Sequence, residues 1–400
     1  MSQYTEVVVI GGGYAGVMAA NRLTQRGDVA VTLVNPRRTF VERIRLHQLA
    51  AGSDDAVVEY DDVLAEGVRL LVDTVTRIDA PGRSLTLTSG ATVGYDYLIY
   101  AVGSGSAAPQ VPGAAEFAYP IATFEEAQRL REELDAHPAR AAVTVVGGGP
   151  TGIEIAAELA EAGRAVTLLC GGELGPYLHP RGRRSAAAHL AKLGVTVLEG
   201  PDTRVTAVTR DAVRLADGRE LPSEVTIWST GFAVPDLAAR SGLTTDALGR
   251  LLTDETLTSV DDVRIIAAGD SAAPSGLPLR MSCQAAEPLG AQAADTVLHR
   301  IAGERPGTLS VGFGGQCMSL GRRVGLFQFA EKDDTAKKLH LGGRTAAKLK
   351  EFVCKHTVKQ LANEARKPGS LTWAKDDSRR QLLEAQRRAT PATAGHVPAV

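Results

Sequence analysis

Residues 6–16 read Glu-Val-Val-Val-Ile-Gly-Gly-Gly-Tyr-Ala-Gly, and residues 142–152 read Ala-Val-Thr-Val-Val-Gly-Gly-Gly-Pro-Thr-Gly. Each stretch is a short apolar run that ends in three glycines and passes into a helical pattern. After the first, Val17, Ala20 and Leu23 recur at helical spacing. A second apolar run follows each helix, Val29–Val34 and Ala165–Leu169. Each stretch therefore opens a strand–helix–strand unit, and the chain carries the unit twice. Runs of this kind, apolar at every position, suit strands buried on both faces of a parallel sheet.

The glycine spacing carries chemistry. In Gly11-x-Gly13-x-x-Gly16 the first glycine permits a tight turn. The second lets backbone approach a pyrophosphate, and the third lets helix and strand pack closely. Tyr14 and Ala15 open a helix whose N-terminus offers free N–H groups and partial positive charge. Gly147, Gly149 and Gly152, with Thr151 between, repeat the arrangement. The acid that usually binds a ribose at the end of the second strand is missing from both units. In the first, Asn35 stands there, with Arg37 two residues on. Asn35 either hydrogen-bonds a ribose hydroxyl or only shapes the Asn35-Pro36 turn. In the second, Cys170 ends the strand. Glu173 follows and suits NAD, while Arg181, Arg183 and Arg184 suit the extra phosphate of NADP. A third run, Ile265–Asp270, ends in Gly269-Asp270 and puts a carboxylate at a sheet edge.

Length and composition agree with this reading. Four hundred residues suit two or three domains, and the repeat supplies two. A net charge of −2 lacks the basic excess of a nucleic-acid binder. The 42 glycines exceed the usual ~7% and call for many close backbone approaches. Cys170, Cys283, Cys317 and Cys354 form no CxxC pair or Cys/His cluster, so neither a metal site nor a vicinal disulfide is expected. The apolar run begins a few residues from Met1, and no membrane span is evident. The expected location is cytoplasmic.

Taken together, these motifs resemble the two-dinucleotide flavoproteins of pyridine nucleotide–disulfide oxidoreductase fold, over roughly residues 4–304. The resemblance implies an α/β architecture with FAD at the first glycine turn and NAD(P)H at the second, NADH favoured. Ala101–Ser104, which includes Gly103, and Ser229–Phe232, which includes Gly231, look like the two connecting motifs. Asp270 takes the position whose acid binds the ribityl or ribose region. The expected division is an FAD domain from 1–108 and 227–304, an NAD(P)H domain from 109–226, and a C-terminal region from 305–400.

Without a CxxC dithiol, the nearest subgroup is that of the type II NADH dehydrogenases. Glu154 matches the acid that lies near the flavin–nicotinamide junction there. Cys283, Gln284 and Ala286 resemble that group's Ala-Gln-x-Ala motif beside the flavin and quinone. Cys283 replaces an alanine, and Glu287-Pro288 stands where a second glutamine is expected. The resemblance implies hydride transfer from nicotinamide to flavin, then electron transfer to a quinone. A ferredoxin-type protein, a small metabolite, or a non-catalytic NADH-sensing role stay open, as does a homodimer. Glu154 is expected to handle protons, its pKa raised by burial, and Gln284 to hydrogen-bond a carbonyl acceptor or cap its helix. His47 is a further candidate proton donor, and Cys283 reads as a small buried residue.

From Thr335 to Val400 the chain carries 14 basic and 5 acidic residues. Leu349, Phe352, Val353 and Leu361 recur there at near-helical spacing. Such a helix either docks on the body with a solvated charged face, or lies on the inner face of an anionic membrane. The tail from Pro391 reads as disordered.

Overall fold

The two glycine-ended runs become central strands of two separate parallel sheets. The computed structural model describes residues 4–389, so the tail from Pro391 lies outside the described residues. Along the chain come strands β1 (Thr5–Ile10), β2 (Val29–Asn35), β3 (Val68–Val72) and β4 (Tyr97–Tyr100). They are followed by β5 (Ala118–Pro120), β6 (Ala142–Val146), β7 (Ala165–Leu169), β8 (Thr196–Leu198) and β9 (Val225–Trp228). Then come β10 (Ile265–Ala267), β11 (Gly315–Ser319), β12 (Gly325–Ala330) and β13 (Ala336–Gly342). The helices that position the site are α1 (Tyr14–Leu23), α2 (Leu46–Ala51), α3 (Pro150–Glu161), α4 (Pro180–Lys192), α5 (Cys283–Ile301) and α6 (Gly343–Arg366).

The first sheet has the order β10-β4-β1-β2-β3, and every pairing in it is parallel. Val7 to Ile10 are buried on both faces, which explains the unbroken apolar run. The second sheet has the order β5-β9-β6-β7-β8, again parallel throughout. Because β10 returns to the first sheet, the second unit is inserted within the first. The boundary expected at 226/227 falls inside β9, which pairs with β5 and β6 of the second sheet. Its sequence, Val-Thr-Ile-Trp, announces a buried strand but not which sheet receives it. Small antiparallel ladders flank both sheets, over 75–94 and 205–222.

Helix α1 is buried along almost its whole length between the first sheet and α5. The two helices meet backbone to backbone: a Cβ on Gly290 would lie 2.2 Å from the Ala15 carbonyl oxygen. The C-terminal chain adds an antiparallel sheet, β11-β12-β13, with α6 packed on it and on α1. The seam of α6 is Ala346, Lys350, Cys354, Thr357, Leu361 and Glu364, one face at helical spacing. The apolar stripe expected from the sequence is therefore only partly the buried face. Leu361 is buried and Leu349 and Val353 are half-buried, but Phe352 is 60% exposed and stacks on His356. Ala346, Cys354 and Thr357 share the seam with two buried charges, Lys350 and Glu364, which pair with Glu154 and Arg22. Among the described residues no helix is long and apolar enough to cross a membrane.

One buried side chain fastens α6 to the first unit. Asn21 on α1 donates through Nδ2 to the Val63 carbonyl at 2.7 Å and the Leu361 carbonyl at 3.1 Å. Its Oδ1 accepts from the Ala65 N–H at 2.9 Å. A buried backbone group left without a partner costs about 1–3 kcal/mol. Asn21→Ala is accordingly expected to lower the unfolding free energy by about 3 kcal/mol or more, read from urea denaturation at unchanged slope.

Candidate functional site

The glycines of the first turn come together with the later motifs. Gly11 has φ +102, and a Cβ there would lie 2.3 Å from the Ala101 carbonyl oxygen. A Cβ on Gly16 would lie 1.8 Å from the Gly11 carbonyl oxygen, and one on Gly269 would meet Ala15. Gly13 differs: nothing lies within 4 Å of where its Cβ would be, and Gly103 is equally open. The packed glycines thus set the turn, and the open one leaves an uncovered cradle at the N-terminus of α1. The second turn repeats this. Gly147 has φ +127, a Cβ on Gly152 would lie 1.9 Å from the Gly147 carbonyl oxygen, and Gly149 is open. Pro150 takes the first position of α3, where its missing N–H costs nothing. Thr151 is half-buried beside it. Gly231, from the second connecting motif, packs on Ala107.

The polar residues around the first turn are already engaged. Asn35 Oδ1 accepts from the Gly12 N–H at 3.0 Å, and its Nδ2 donates to the Arg37 carbonyl at 2.9 Å. Both ends of the amide therefore shape the loop. The Arg37 guanidinium pairs with Glu125. Asp270 accepts from the Ser104 hydroxyl at 2.7 Å and from Arg43 at 2.9 Å. This brings the first connecting motif and the Gly-Asp motif to one place, with Arg43 as a member that the sequence did not single out. At the second turn, Glu173 pairs with Arg183 at 2.7 Å. Its loop lies on the turn, because the Gly175 N–H donates to the Gly148 carbonyl.

Between the units lies a buried charge cluster. Glu154, on α3, accepts through Oε1 from the Ser319 N–H at 2.8 Å and from Lys350 Nζ at 3.1 Å. His47 Nδ1, on α2, lies 3.7 Å from Oε2. All three side chains are buried. The expectation of a raised Glu154 pKa is overturned. Burial pushes its carboxyl up, but Lys350, His47 and the Ser319 N–H together hold it below the ordinary range. Burial alone would likewise push the Lys350 ammonium down, yet Glu154 holds it above the ordinary lysine range. The cluster therefore stores an ion pair whose ammonium has further N–H donors to offer. Burial, only partly opposed by Glu154, pushes His47 down to about 4, so the imidazole is neutral at neutral pH.

Helix α5 supplies the remaining wall. Its N-cap is Ser282, whose hydroxyl accepts from the Ala285 N–H. Gln284 instead lies against Gly314 N and Gly315 O, 3.1 Å from each. The amide thus ties α5 to the entry of β11 rather than capping the helix. Ala286 is buried against α1. Burial pushes the Cys283 thiol up to about 12 and the Cys354 thiol up to about 11, so both are protonated fillers beside Lys350. Lys350 is the member that sequence reasoning missed. It reads as one more charge of a basic helix. Its signal was register: it falls on the same face as Ala346, Cys354 and Thr357.

The pyridine nucleotide-disulphide oxidoreductase family matches residues 5–291. An NADH dehydrogenase-like protein of Mycobacterium tuberculosis is 32% identical over 328 residues, which cover 74% of this chain and 81% of that protein. A type II NADH:quinone oxidoreductase of the same organism is 29% identical over 345 residues, covering 75% and 73%. Among solved structures, the sulfide:quinone oxidoreductase of Aquifex aeolicus shares the fold with a TM-score of 0.76 at 20% identity, over 95% of each chain. NDH2 of Plasmodium falciparum, solved with NADH, does so with a TM-score of 0.74 at 16% identity, over 92% and 99%.

Two outcomes follow from the charge cluster. Removing one partner of a buried ion pair costs about 3–5 kcal/mol, because the other charge stays buried. Lys350→Met is expected to lose that much at pH 7, and the double variant with Glu154→Gln to recover most of it in equilibrium unfolding. The second concerns acid. Between the ordinary histidine pKa and about 4, the unfolded chain holds a proton on His47 that the native chain does not. Stability therefore falls as pH drops through that window. His47→Gln is expected to remove about 3 kcal/mol of this acid loss, read as a flatter stability profile from pH 7 to 4.

Proposed function

The chain belongs to the pyridine nucleotide-disulphide oxidoreductase family, and we propose that it is an FAD-dependent NAD(P)H oxidoreductase of the type II NADH dehydrogenase kind. Its acceptor is a quinone-like carbonyl compound. The observation that carries this reading is the pair of open glycine cradles. Gly13 and Gly149 each leave an uncovered helix N-terminus at the end of a parallel strand. Ligands of such sheets bind at that edge, with phosphates on the helix N-terminus.

The residues fit two dinucleotides. Gly11, Gly13, Tyr14, Ala15 and Gly16 would hold the FAD pyrophosphate, with Ala101, Gly103 and the Arg43–Asp270 pair along the remainder. Gly147, Gly149, Thr151 and Gly152 would hold NAD(P)H, with Gly231 at the crossover. Bound together, the two cofactors supply hydride transfer from nicotinamide to flavin and release of two electrons onward. The protein aligns them and excludes water. Lys350 is held charged by Glu154 and presents its free N–H groups to an acceptor oxygen. Glu154 thus acts as the counter-ion that keeps the donor in place, and the neutral His47 closes its second oxygen. Cys283 and Ala286 line the α5 side as small, unreactive surface.

The Glu173 carboxylate favours NADH, because it accepts from a ribose hydroxyl and repels a phosphate there. The outer face of α6, with Lys348, Lys355, Lys359 and Phe352, suits contact with an anionic membrane surface, where a quinone resides.

The purified chain is expected to carry yellow flavin absorbance that NADH bleaches without oxygen and a soluble quinone restores. A chain that takes up no flavin, or whose flavin NADH leaves oxidised, overturns the proposal. Glu173→Ala frees Arg183 for a 2′-phosphate. It is expected to shift the ratio of kcat/KM values roughly tenfold toward NADPH, about 1.4 kcal/mol.

A further inference from the structure

Residues 272–282 run from the Gly269-Asp270 motif to the start of α5. Their first part is fixed, because Ala272–Pro274 pairs in parallel with Leu251–Thr253. Beyond Pro274 the chain leaves that ladder. Ser275 has φ +51 and Gly276 φ +68. Two left-handed residues thus stand in succession, and one of them is not a glycine. Both are exposed. The Ser275, Gly276 and Leu277 N–H groups find backbone carbonyls. From there to Ser282 the chain is irregular and half-buried. A segment of this kind opens locally at low free energy unless contacts from outside hold it.

Those contacts come from the far end of the chain. Arg379, on the helix Ser378–Ala389, donates through Nη2 to the Pro274 carbonyl at 2.8 Å. Its Nη1 donates to the Leu277 carbonyl at 2.7 Å. The same guanidinium forks onto Glu255, Nε to Oε2 at 2.8 Å and Nη2 to Oε1 at 2.9 Å. Both side chains are mostly buried. The planar fork meets a carboxylate and two carbonyls at once, which the point charge of a lysine does not. Residues 367–378 deliver Arg379 to this place. Glu364 on α6 accepts from the Gly369 and Leu371 N–H groups at 2.6 and 2.7 Å. Trp373 Nε1 donates to the Ser310 carbonyl at 2.9 Å, and the Ser310 hydroxyl donates to the Asp376 carbonyl at 3.0 Å. The other half of the loop is held by β12–β13. Arg280 pairs with Asp334, Nε to Oδ2 at 2.5 Å and Nη2 to Oδ1 at 2.9 Å, and lies over the Phe313 ring. Arg280 also walls a cavity of about 260 Å³ with Tyr177 of the second unit and Gln316 of β11. The loop therefore borders the space between the second unit and the C-terminal sheet.

We propose that Arg379 is a positioning residue for the acceptor side of the site. It acts from outside, by holding the Pro274 and Leu277 carbonyls and through them the start of α5. The line of contact is continuous. Residues 274–277 lead to Ser282, the N-cap of α5, and Gln284 in the first turn lies against Gly314 and Gly315. Strand β11 follows, and its Ser319 N–H fixes Glu154, the partner of Lys350. Asp270, by contrast, is held by Ser104 and Arg43. Loosening the loop therefore disturbs the groups that meet the acceptor and leaves the flavin bound. Small misplacements of such groups cost rate far out of proportion to their size. The inference rests on the function proposed above and gives the C-terminal strap a part in it.

The test compares the wild-type holoenzyme with Arg379→Lys and with the double variant Arg379→Met, Glu255→Gln. Lysine keeps a charge against Glu255 but not the fork onto two carbonyls. The double variant removes the ion pair as a unit, so neither charge stays buried alone. Amide hydrogen exchange read by mass spectrometry reports on residues 275–282 without any turnover. Stopped flow separates flavin bleaching by NADH from flavin recovery with a water-soluble benzoquinone. Both variants are expected to exchange residues 275–282 roughly tenfold faster while keeping their FAD. Bleaching by NADH is expected to hold, and kcat/KM for the quinone to fall roughly tenfold. Unchanged exchange in either variant overturns the inference and leaves the proposed function standing. Faster exchange with both half-reactions slowed alike, or with neither slowed, also overturns it, because Arg379 then only stabilises the fold. A wild type whose flavin NADH leaves oxidised overturns the proposed function and this inference together.

Discussion

The rest of the structure depends on one steric constraint. Helix α1 must start so close to β1 that a Cβ on Gly16 would overlap the Gly11 carbonyl oxygen. That distance aims the helix N-terminus across the sheet edge, and it also sets what can pack behind. Helix α5 lies on α1 with Gly290 against the Ala15 backbone, so the second contact inherits the tightness of the first. The same geometry recurs where Gly152 meets Gly147. Helix α3 is thereby placed with Glu154 facing the C-terminal helix. Close backbone approach, rather than large side chains, thus sets where the charged groups of the site meet.

Those groups illustrate why burial alone is a poor guide to protonation. Glu154 and Glu287 are both buried carboxyls on helices that follow nucleotide-type motifs. Glu154 has an ammonium, an imidazole and a backbone N–H against it and is held ionised. On Glu287 burial acts unopposed and holds its carboxyl well above the ordinary range. Burial acts on both, and the charged partners present at one and not at the other send the two carboxyls in opposite directions.

The fold was legible because its evidence is local. A glycine spacing, an apolar run and a helical period each fit within about 30 residues, and each occurs twice. The candidate site was legible only in its local half. Gly13, Gly149, Glu154 and Asp270 announce themselves within their motifs. Lys350 does not, because its partner lies on a different unit and its neighbours in sequence are other lysines. Gln284 shows the other side: its motif suggests a ligand contact, while its amide lies 3.1 Å from Gly314 N and Gly315 O. Asn35 likewise spends its amide on the Gly12 turn and the Arg37 carbonyl. A side chain's type says what it can bond, and only the fold says what it has bonded already.

The Asn21 clasp has a consequence for how the molecule is made. Its Leu361 partner lies 340 residues further along the chain. At about 5–20 residues per second, synthesis takes roughly 20 to 70 seconds to deliver that partner. For that interval α1 lacks its outer neighbour, and Glu154 waits roughly 8 to 33 seconds for the Ser319 N–H, which comes 165 residues after it. The nascent protein thus emerges with its nucleotide turns formed before the charges between them are neutralised. The helix that closes the centre, α6, leaves the ribosome after every other element of the site.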